Sequence, residues 1–167
     1  DKVGEAVLIA KTADEADYLM DNYILARPER IWSRLAVEKI IRGHVLATIA
    51  SDFAHTENGL YEFFGKTFYA YQYDVKAIKS IIAKILKYLY DEEMIELDGE
   101  NIYATKFGKR VSDLYIDPLS AVVIRVAIEN KPYNITDLSL LHLISHTPDM
   151  GPIMRPYAHE LEEMAIL

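Results

Sequence analysis

One triplet in the sequence has the form that ends a phosphate-binding loop, Gly65-Lys66-Thr67. Such a loop needs an earlier glycine five positions before Gly65, after a β-strand, so that backbone N–H groups can surround a phosphate. Position 60 is leucine, and the triplet lies within an aromatic-rich helical pattern. We therefore interpret Lys66 as a surface lysine of a helix rather than as a phosphate ligand.

Two histidines four residues apart, His142 and His146, would face one side of a helix and could share a metal ion. The zinc-protease form of this motif needs Glu after the first histidine, where the chain has Leu143. No acidic ligand stands at a convincing spacing, so we expect packed or capping histidines. His44 lies on an apolar helical stripe, and we interpret it as a hydrogen-bonded core histidine.

No other set of residues predicts catalysis. The chain has no cysteine, which excludes thiol nucleophiles and Cys-based zinc sites, and no Gly-x-Ser-x-Gly elbow. An acidic stretch lacks the alternating spacing of a calcium loop, so we interpret it as solvated. It consists of Asp91, Glu92, Glu93, Glu96, Asp98 and Glu100. We expect no catalytic residue, no cofactor and no metal in this chain.

The most informative pattern is a predicted helix over positions 74–90. One side is apolar, and the other carries Lys76, Lys79 and Lys87, with Lys84 at its margin. This pattern is typical of a recognition helix that contacts phosphates, and equally of an amphipathic helix whose lysines face water. The sequence leaves both interpretations open. No Arg, Asn or Gln lies on the cationic side, so any binding there is expected to be independent of DNA sequence.

A second basic cluster follows, consisting of Lys106, Lys109 and Arg110. It either extends a phosphate-binding track or simply starts the next helix. The net charge of −8 means that nucleic-acid contact would require such local patches.

The order of the predicted elements indicates a fold. Helices over 34–52, 57–71 and 74–90 precede a hairpin whose strands, 94–97 and 101–104, flank an Asp98-Gly99 turn. Three helices followed by a hairpin are the core and wing of a winged helix. We predict a mainly α fold, a winged helix with a three-helix core, a β-hairpin wing and flanking helices. The acidic wing argues against insertion into a groove, because it would repel phosphates.

Flanking elements complete the prediction. An apolar strand over 5–11 lacks a sheet partner, and we expect it to pair with another copy or to pack on its own domain. A helix capped by Thr12 and Glu15 runs to about residue 26. Later helices begin at Asp117-Pro118, at Thr136-Asp137 and near Pro156. No apolar run is long enough to span a membrane, and we expect a cytoplasmic chain excised from a longer protein.

Several stretches together resemble a known family. They are 4–9, 23–25 with 31–35, 44–49, 64–68, 103–118 as the most specific, and 138–148. In order and spacing these stretches resemble the archaeal Ski-two-like superfamily-two DNA repair helicases, which are related to the helicase part of polymerase theta. In that family two motor domains hydrolyse ATP and translocate 3′ to 5′ on single-stranded DNA, and a winged helix closes the ring to a ratchet domain.

The resemblance implies three segments: 1–27 from the second motor domain, 28–116 as the winged helix and 117–167 as the start of the ratchet domain. Expected partners are these motor and ratchet domains and single-stranded or forked DNA. ATP and Mg are expected for the parent protein only, because its phosphate loop and DExH box would precede residue 1. The residues predicted to contact DNA are Lys76, Lys79, Lys84, Lys87, Lys106, Lys109 and Arg110.

Two other functions remain open at this point. The chain could be a protein-interaction scaffold without DNA contact, which the acidic wing favours, or a free-standing DNA-binding regulator. The aromatic residues are expected to pack rather than to stack on bases, because aromatics bury a large area in protein cores. They are Trp32, Phe63, Phe64 and Phe68.

Overall fold

The computed structural model describes residues 4–130, 134–152 and 157. The chain divides into two units, Asp1–Trp32 and Ser33–Leu167. The helix predicted near Pro156 lies outside the described residues.

The first unit contains one helical segment. Helix α1 spans Ala13–Leu19 and continues as a π-helical turn, Met20–Ile24, so it ends two residues before the predicted position. Thr12 caps it by accepting a hydrogen bond from the backbone N–H of Glu15 at 3.2 Å. Residues 5–10 form no strand, and Val7 and Ile9 are exposed. The predicted strand is therefore wrong for this chain, because a strand requires a ladder partner and the described residues supply none.

The second unit contains the winged helix. Its three principal helices are α2, Glu38–Ala50, α3, Glu57–Gly65, and α5, Val75–Asp91. A 3₁₀ turn, Arg34–Ala36, precedes α2, so the predicted helix over 34–52 is shorter than expected. The fold class predicted from the sequence is confirmed.

The helix predicted over 57–71 is interrupted. Helix α3 ends at Gly65, and a separate short helix, α4, spans Phe68–Gln72. Thr67 adopts extended geometry between them, and its side chain accepts a hydrogen bond from the backbone N–H of Ala70. A threonine that caps a new helix ends the old one, because its side chain competes with the backbone for hydrogen bonds.

The wing is a two-stranded antiparallel hairpin. Strands β1, Ile95–Asp98, and β2, Asn101–Ala104, pair so that Asp98 lies opposite Asn101. The two-residue turn is therefore Gly99-Glu100, one position later than predicted. Gly99 has φ +61°, which glycine adopts without steric cost.

Three further helices follow the wing. They are α6, Lys106–Asp113, α7, Pro118–Glu129, and α8, Asp137–Ser145, and a 3₁₀ turn, Pro148–Met150, comes after them. The predicted caps of α7, Asp117-Pro118, and of α8, Thr136, are confirmed.

The core lies between α2, α3, α5 and the wing. Its buried members include Ile41, Val45, Leu60, Phe64, Ile78, Ile82, Ile85, Leu89, Met94 and Ile102. Helix α6 closes this core at an unusually close approach, where a Cβ on Gly108 would lie 1.9 Å from the carbonyl oxygen of Met94. Only glycine fits there, and α6 is thereby held against the base of the wing.

Candidate nucleic-acid interface

Helix α5 presents its four lysines to solvent. Lys76, Lys79, Lys84 and Lys87 are exposed, while Ile82 and Leu89 on the opposite side are fully buried. Asp74 starts the helix by accepting a hydrogen bond from the backbone N–H of Lys76 at 2.9 Å. The apolar period of α5 therefore positions the four lysines, which we call the α5 lysine face.

Most of the α5 lysine face already has a neighbour. Lys84 Nζ lies 3.2 Å from both carboxylate oxygens of Glu38, and Lys87 Nζ lies 2.7 Å from Asp91 Oδ2. Exposed pairs of this kind contribute about 0.2–1 kcal/mol, so phosphate could displace the carboxylates, at a cost. No ion pair forms on Lys76 within the described part of the chain.

The remaining member of that face lies over an aromatic ring. Lys79 Nζ is 4.9 Å from the ring centroid of Tyr61, a cation–π distance. The pKa of the Tyr61 hydroxyl is raised to about 12. Burial is the main cause, and the carboxylate of Glu57, which accepts a hydrogen bond from this hydroxyl, adds to it. Tyr61 therefore stays neutral at physiological pH and holds Lys79 by its ring.

Helix α6 carries the second cationic surface. Lys106, Lys109 and Arg110 are exposed on one side, and Gly108 and Val111 are buried on the other. None of the three cations makes an ion pair with any residue the structure describes. We call them the α6 cationic face. It also starts the helix, so the two interpretations of this cluster are compatible.

The two faces belong to separate helices that both pack against α2. The wing adds no positive charge, because Glu96, Asp98 and Glu100 are exposed along it. Electrostatic attraction for a polyanion is therefore concentrated on α5 and α6, away from the wing tip.

Comparison with known proteins identifies the fold family. Residues 4–96 match the family described as "Helix-turn-helix domain", which is more than half of the chain. The chain belongs to that helix-turn-helix family. The match includes α2 to α5 and ends in the first strand of the wing.

Relatives of this helix-turn-helix chain are archaeal helicases. It is 44% identical over 153 residues to the "ATP-dependent DNA helicase Hel308" of Methanocella arvoryzae. The aligned region covers 90% of this chain and 20% of the relative. The proteins of the same name are 36% identical in Pyrococcus horikoshii, over 94% of this chain and 22% of the relative, and 37% identical in Thermococcus kodakarensis, over 98% and 15%. The chain thus spans about a fifth of the length of the curated relatives it matches. The helicase resemblance predicted from the sequence is confirmed.

Several sequence-based interpretations need correction. His44 is exposed rather than buried in the core of the helix-turn-helix domain, because it lies at the edge of the buried stripe formed by Ile41 and Val45. Lys66 caps the end of α3 instead of lying within a helix. Of the four aromatic residues expected to pack, Phe64 is fully buried. The residues Trp32, Phe63 and Phe68 are 63%, 40% and 45% exposed.

The acidic stretch is more structured than a solvated loop. Asp91 is the last residue of α5 and pairs with Lys87, and Glu92 caps the helix and pairs with Arg125. No local sequence pattern indicates the pair between Glu92 and Arg125, because its members are 33 positions apart. The same holds for Arg42 and Asp117, which form the most buried ion pair among the described residues.

The described residues contain neither a cluster of metal-ligating side chains nor a helix that could span a membrane. No three His, Asp or Glu side chains come together there as metal ligands; His142 is exposed and His146 is the C-cap of α8. In that part of the chain, no helix has the length and apolar character needed to cross a bilayer.

Proposed function

We propose that this chain is the DNA-handling winged-helix module of an ATP-dependent 3′–5′ DNA helicase that acts in the repair of stalled replication forks. Its segments would be 1–27 from the second motor domain, 28–116 as the winged helix and 117–167 from the start of the ratchet domain. The parent protein would use ATP and Mg, and this module would couple the motor domains to DNA without catalysis of its own. The names of its relatives and its helix-turn-helix fold support this proposal.

The observation that carries the proposal is the distribution of cations. The chain has a net charge of −8, yet two helices each present a surface of exposed cations. Two of the four lysines on α5 pair with carboxylates, and the three cations on α6 form no ion pair with any described residue. Phosphate contacts supply most of the affinity in sequence-independent binding. The lack of base-reading side chains on the α5 lysine face fits such binding.

The two surfaces should contribute unequally. A phosphate that binds Lys84 or Lys87 must replace the carboxylate of Glu38 or Asp91, whereas one that binds the α6 cationic face replaces only water. We therefore assign the larger share of DNA affinity to Lys106, Lys109 and Arg110, and a smaller share to the α5 lysine face.

Fluorescence anisotropy tests the proposal. The 167-residue chain is titrated onto labelled single-stranded, duplex and forked DNA at 50 and 200 mM salt. Saturable binding that weakens with salt, and weakens further in a Lys106→Ala, Lys109→Ala, Arg110→Ala variant, is the expected result. A matched control replaces Lys11, Arg27 and Arg30 with alanine, which removes three exposed cations from the other unit.

A protein-interaction scaffold is the second candidate function. The pairing of Lys84 and Lys87 with carboxylates favours it, as does the apolar outer side of α8, where Leu138, Leu141 and Ile144 are exposed. Absence of DNA binding at 50 mM salt, with the chain folded by circular dichroism, would favour the scaffold and contradict the DNA module.

A further inference from the structure

Helix α7 follows the winged helix in the sequence. Its N-cap residue, Asp117, contacts Arg42 of α2. Arg42 donates from Nε to Asp117 Oδ1 and from Nη2 to Asp117 Oδ2, each at 3.0 Å. The Asp117 side chain is 1% exposed. The same carboxylate caps α7 by accepting from the backbone N–H of Leu119 at 3.0 Å. One buried side chain thus both starts α7 and joins it to α2.

A second arginine joins the middle of α7 to the end of α5. Arg125 donates to the backbone carbonyl of Glu92 at 2.8 Å and to the Glu92 carboxylate. Its guanidinium lies 5.0 Å from the ring centroid of Phe107 on α6. Because Glu92 is the C-cap of α5, this contact holds the α5 terminus and α7 together.

Tyr88 connects the two arginine contacts through α5. The guanidinium of Arg42 lies 5.3 Å from its ring centroid, and Tyr88 and Glu92 are one helical turn apart. The 3₁₀ turn Pro148–Met150 also contacts this region. Its Asp149 accepts a hydrogen bond from the backbone N–H of Asp117 at 2.8 Å and forms an ion pair with Lys39 at 3.0 Å. Cations and carboxylates from α2, α5, α7 and the 3₁₀ turn therefore satisfy one another.

We propose that Arg42 and Arg125 are positioning residues that make α7 a rigid extension of the winged helix, so that α5 and α7 move as one body. Bidentate arginine–carboxylate pairs fix orientation as well as distance, which a purely apolar contact does not. This inference goes beyond the proposed function, because it concerns the body that carries the lysine face and holds with or without DNA.

Helix α8 offers an internal comparison. Although it lies next to α7, none of its side chains is buried, and no ion pair joins it to the winged helix in the described residues. If α7 belongs to the rigid body, its amides should open only when α2 and α5 open, whereas the amides of α8 should open independently.

Native-state hydrogen exchange of the 167-residue chain without DNA tests this. The expected result is one common opening free energy for the central amides of α2, α5 and α7, and faster exchange in α8. Exchange of α7 at the rate of α8, with α2 and α5 still protected, would overturn the inference. Because no DNA is present, this outcome leaves the DNA proposal to its own experiment.

Variants sharpen the test. Arg42→Ala should speed exchange in α7 relative to α5 on the order of tenfold to a hundredfold, as expected when a charged hydrogen-bonded partner is lost. Arg42→Lys keeps the positive charge but loses the bidentate contact with Asp117. Its exchange rate in α7 should fall between those of the wild type and Arg42→Ala. Lys84→Ala is the control. It breaks an exposed ion pair between Lys84 of α5 and Glu38 of α2, the helix that also carries Arg42. Equal effects of Arg42→Ala and Lys84→Ala on α7 would contradict the positioning role. If Arg42→Ala unfolds the chain, Arg125→Ala provides the same comparison.

Discussion

Arg42 and Asp117 lie 75 positions apart in the sequence and meet through two hydrogen bonds of 3.0 Å each. Burial alone would lower the pKa of Arg42, but the hydrogen bonds and charge of Asp117 outweigh it and raise that pKa. Arg42 therefore remains charged in the folded protein. The pair sets the direction in which α7 leaves the winged helix.

Loss of the Asp117 carboxylate should destabilise the fold strongly. Asp117→Ala removes the carboxylate that accepts both hydrogen bonds of the largely buried Arg42 guanidinium and leaves it only the longer contact with the exposed Glu38, at 3.8 Å. Breaking a buried pair costs about 3–5 kcal/mol. Asp117→Asn should cost less, because an amide oxygen still caps α7. Urea unfolding followed by circular dichroism measures both.

The exposed pair between Lys87 and Asp91 provides the matched control. Lys87→Ala should change the free energy of unfolding by less than about 1 kcal/mol. Equal losses for Asp117→Ala and Lys87→Ala would show that burial gives the Arg42 pair no special role.

Two glycines should respond oppositely to alanine. Gly108→Ala would place a Cβ 1.9 Å from the carbonyl oxygen of Met94, a backbone clash that only a shift of α6 can relieve. Gly43 lies within α2 with open space around it, so Gly43→Ala should stabilise the chain by about 0.5–1 kcal/mol. Thermal unfolding of both variants checks the pair, and a stabilising Gly108→Ala would contradict the close packing of α6 on the wing.

Acid should weaken the contact between Asp149 and Lys39. Burial raises the pKa of Asp149, but the polar groups of Ser120, the Asp117 backbone and Lys39 outweigh burial and lower it below its usual 3.8. A carboxyl with a lowered pKa in the folded state stabilises the fold above its unfolded pKa, and this stabilisation disappears as the pH falls through the folded value.

The corresponding measurement compares the wild type with Asp149→Asn in urea between pH 7 and pH 2.5. The wild type should be more stable above about pH 5, and the difference should shrink below about pH 4, where Asp149 in the unfolded chain is protonated. A difference that stays constant over this range would mean that the charge of Asp149 does not stabilise the fold.

His44 distinguishes the structure from the sequence-based expectation. An exposed histidine predicts that His44→Ala changes the free energy of unfolding by no more than about 0.5 kcal/mol. Ile41→Ala, three residues earlier and 1% exposed, should cost about 2–5 kcal/mol. Equal losses of unfolding free energy for His44→Ala and Ile41→Ala in chemical denaturation would indicate that His44 is part of the core.

Local sequence patterns predicted which helices and strands exist better than they predicted where these elements end and what they contact. The long apolar period of α5 and the glycine turn of the wing are strong signals, and both elements exist. The turn moved by one residue because Asp98 pairs with Asn101. The break at Thr67 depends on a capping hydrogen bond that competes with a continuous helical pattern.

The candidate site was predictable only in part. Periodicity placed Lys76, Lys79 and Lys87 on the solvent side of α5, where the structure has them. It could not show that Lys84 meets Glu38, 46 positions away, or that Lys79 lies over Tyr61. Those contacts depend on how α5 packs on α2 and α3, which residue spacing within one helix does not encode.

The salt dependence of duplex binding tests the central proposal most directly. Each phosphate contact adds about 0.9 to the slope of log affinity against log salt on duplex DNA. Replacement of Lys106, Lys109 and Arg110 by alanine should therefore lower that slope by about 2.7, three contacts' worth. The Lys11→Ala, Arg27→Ala, Arg30→Ala variant should keep the wild-type slope. No wild-type binding at 50 mM salt, or the same loss of slope in both variants, would contradict a DNA-binding role for α6.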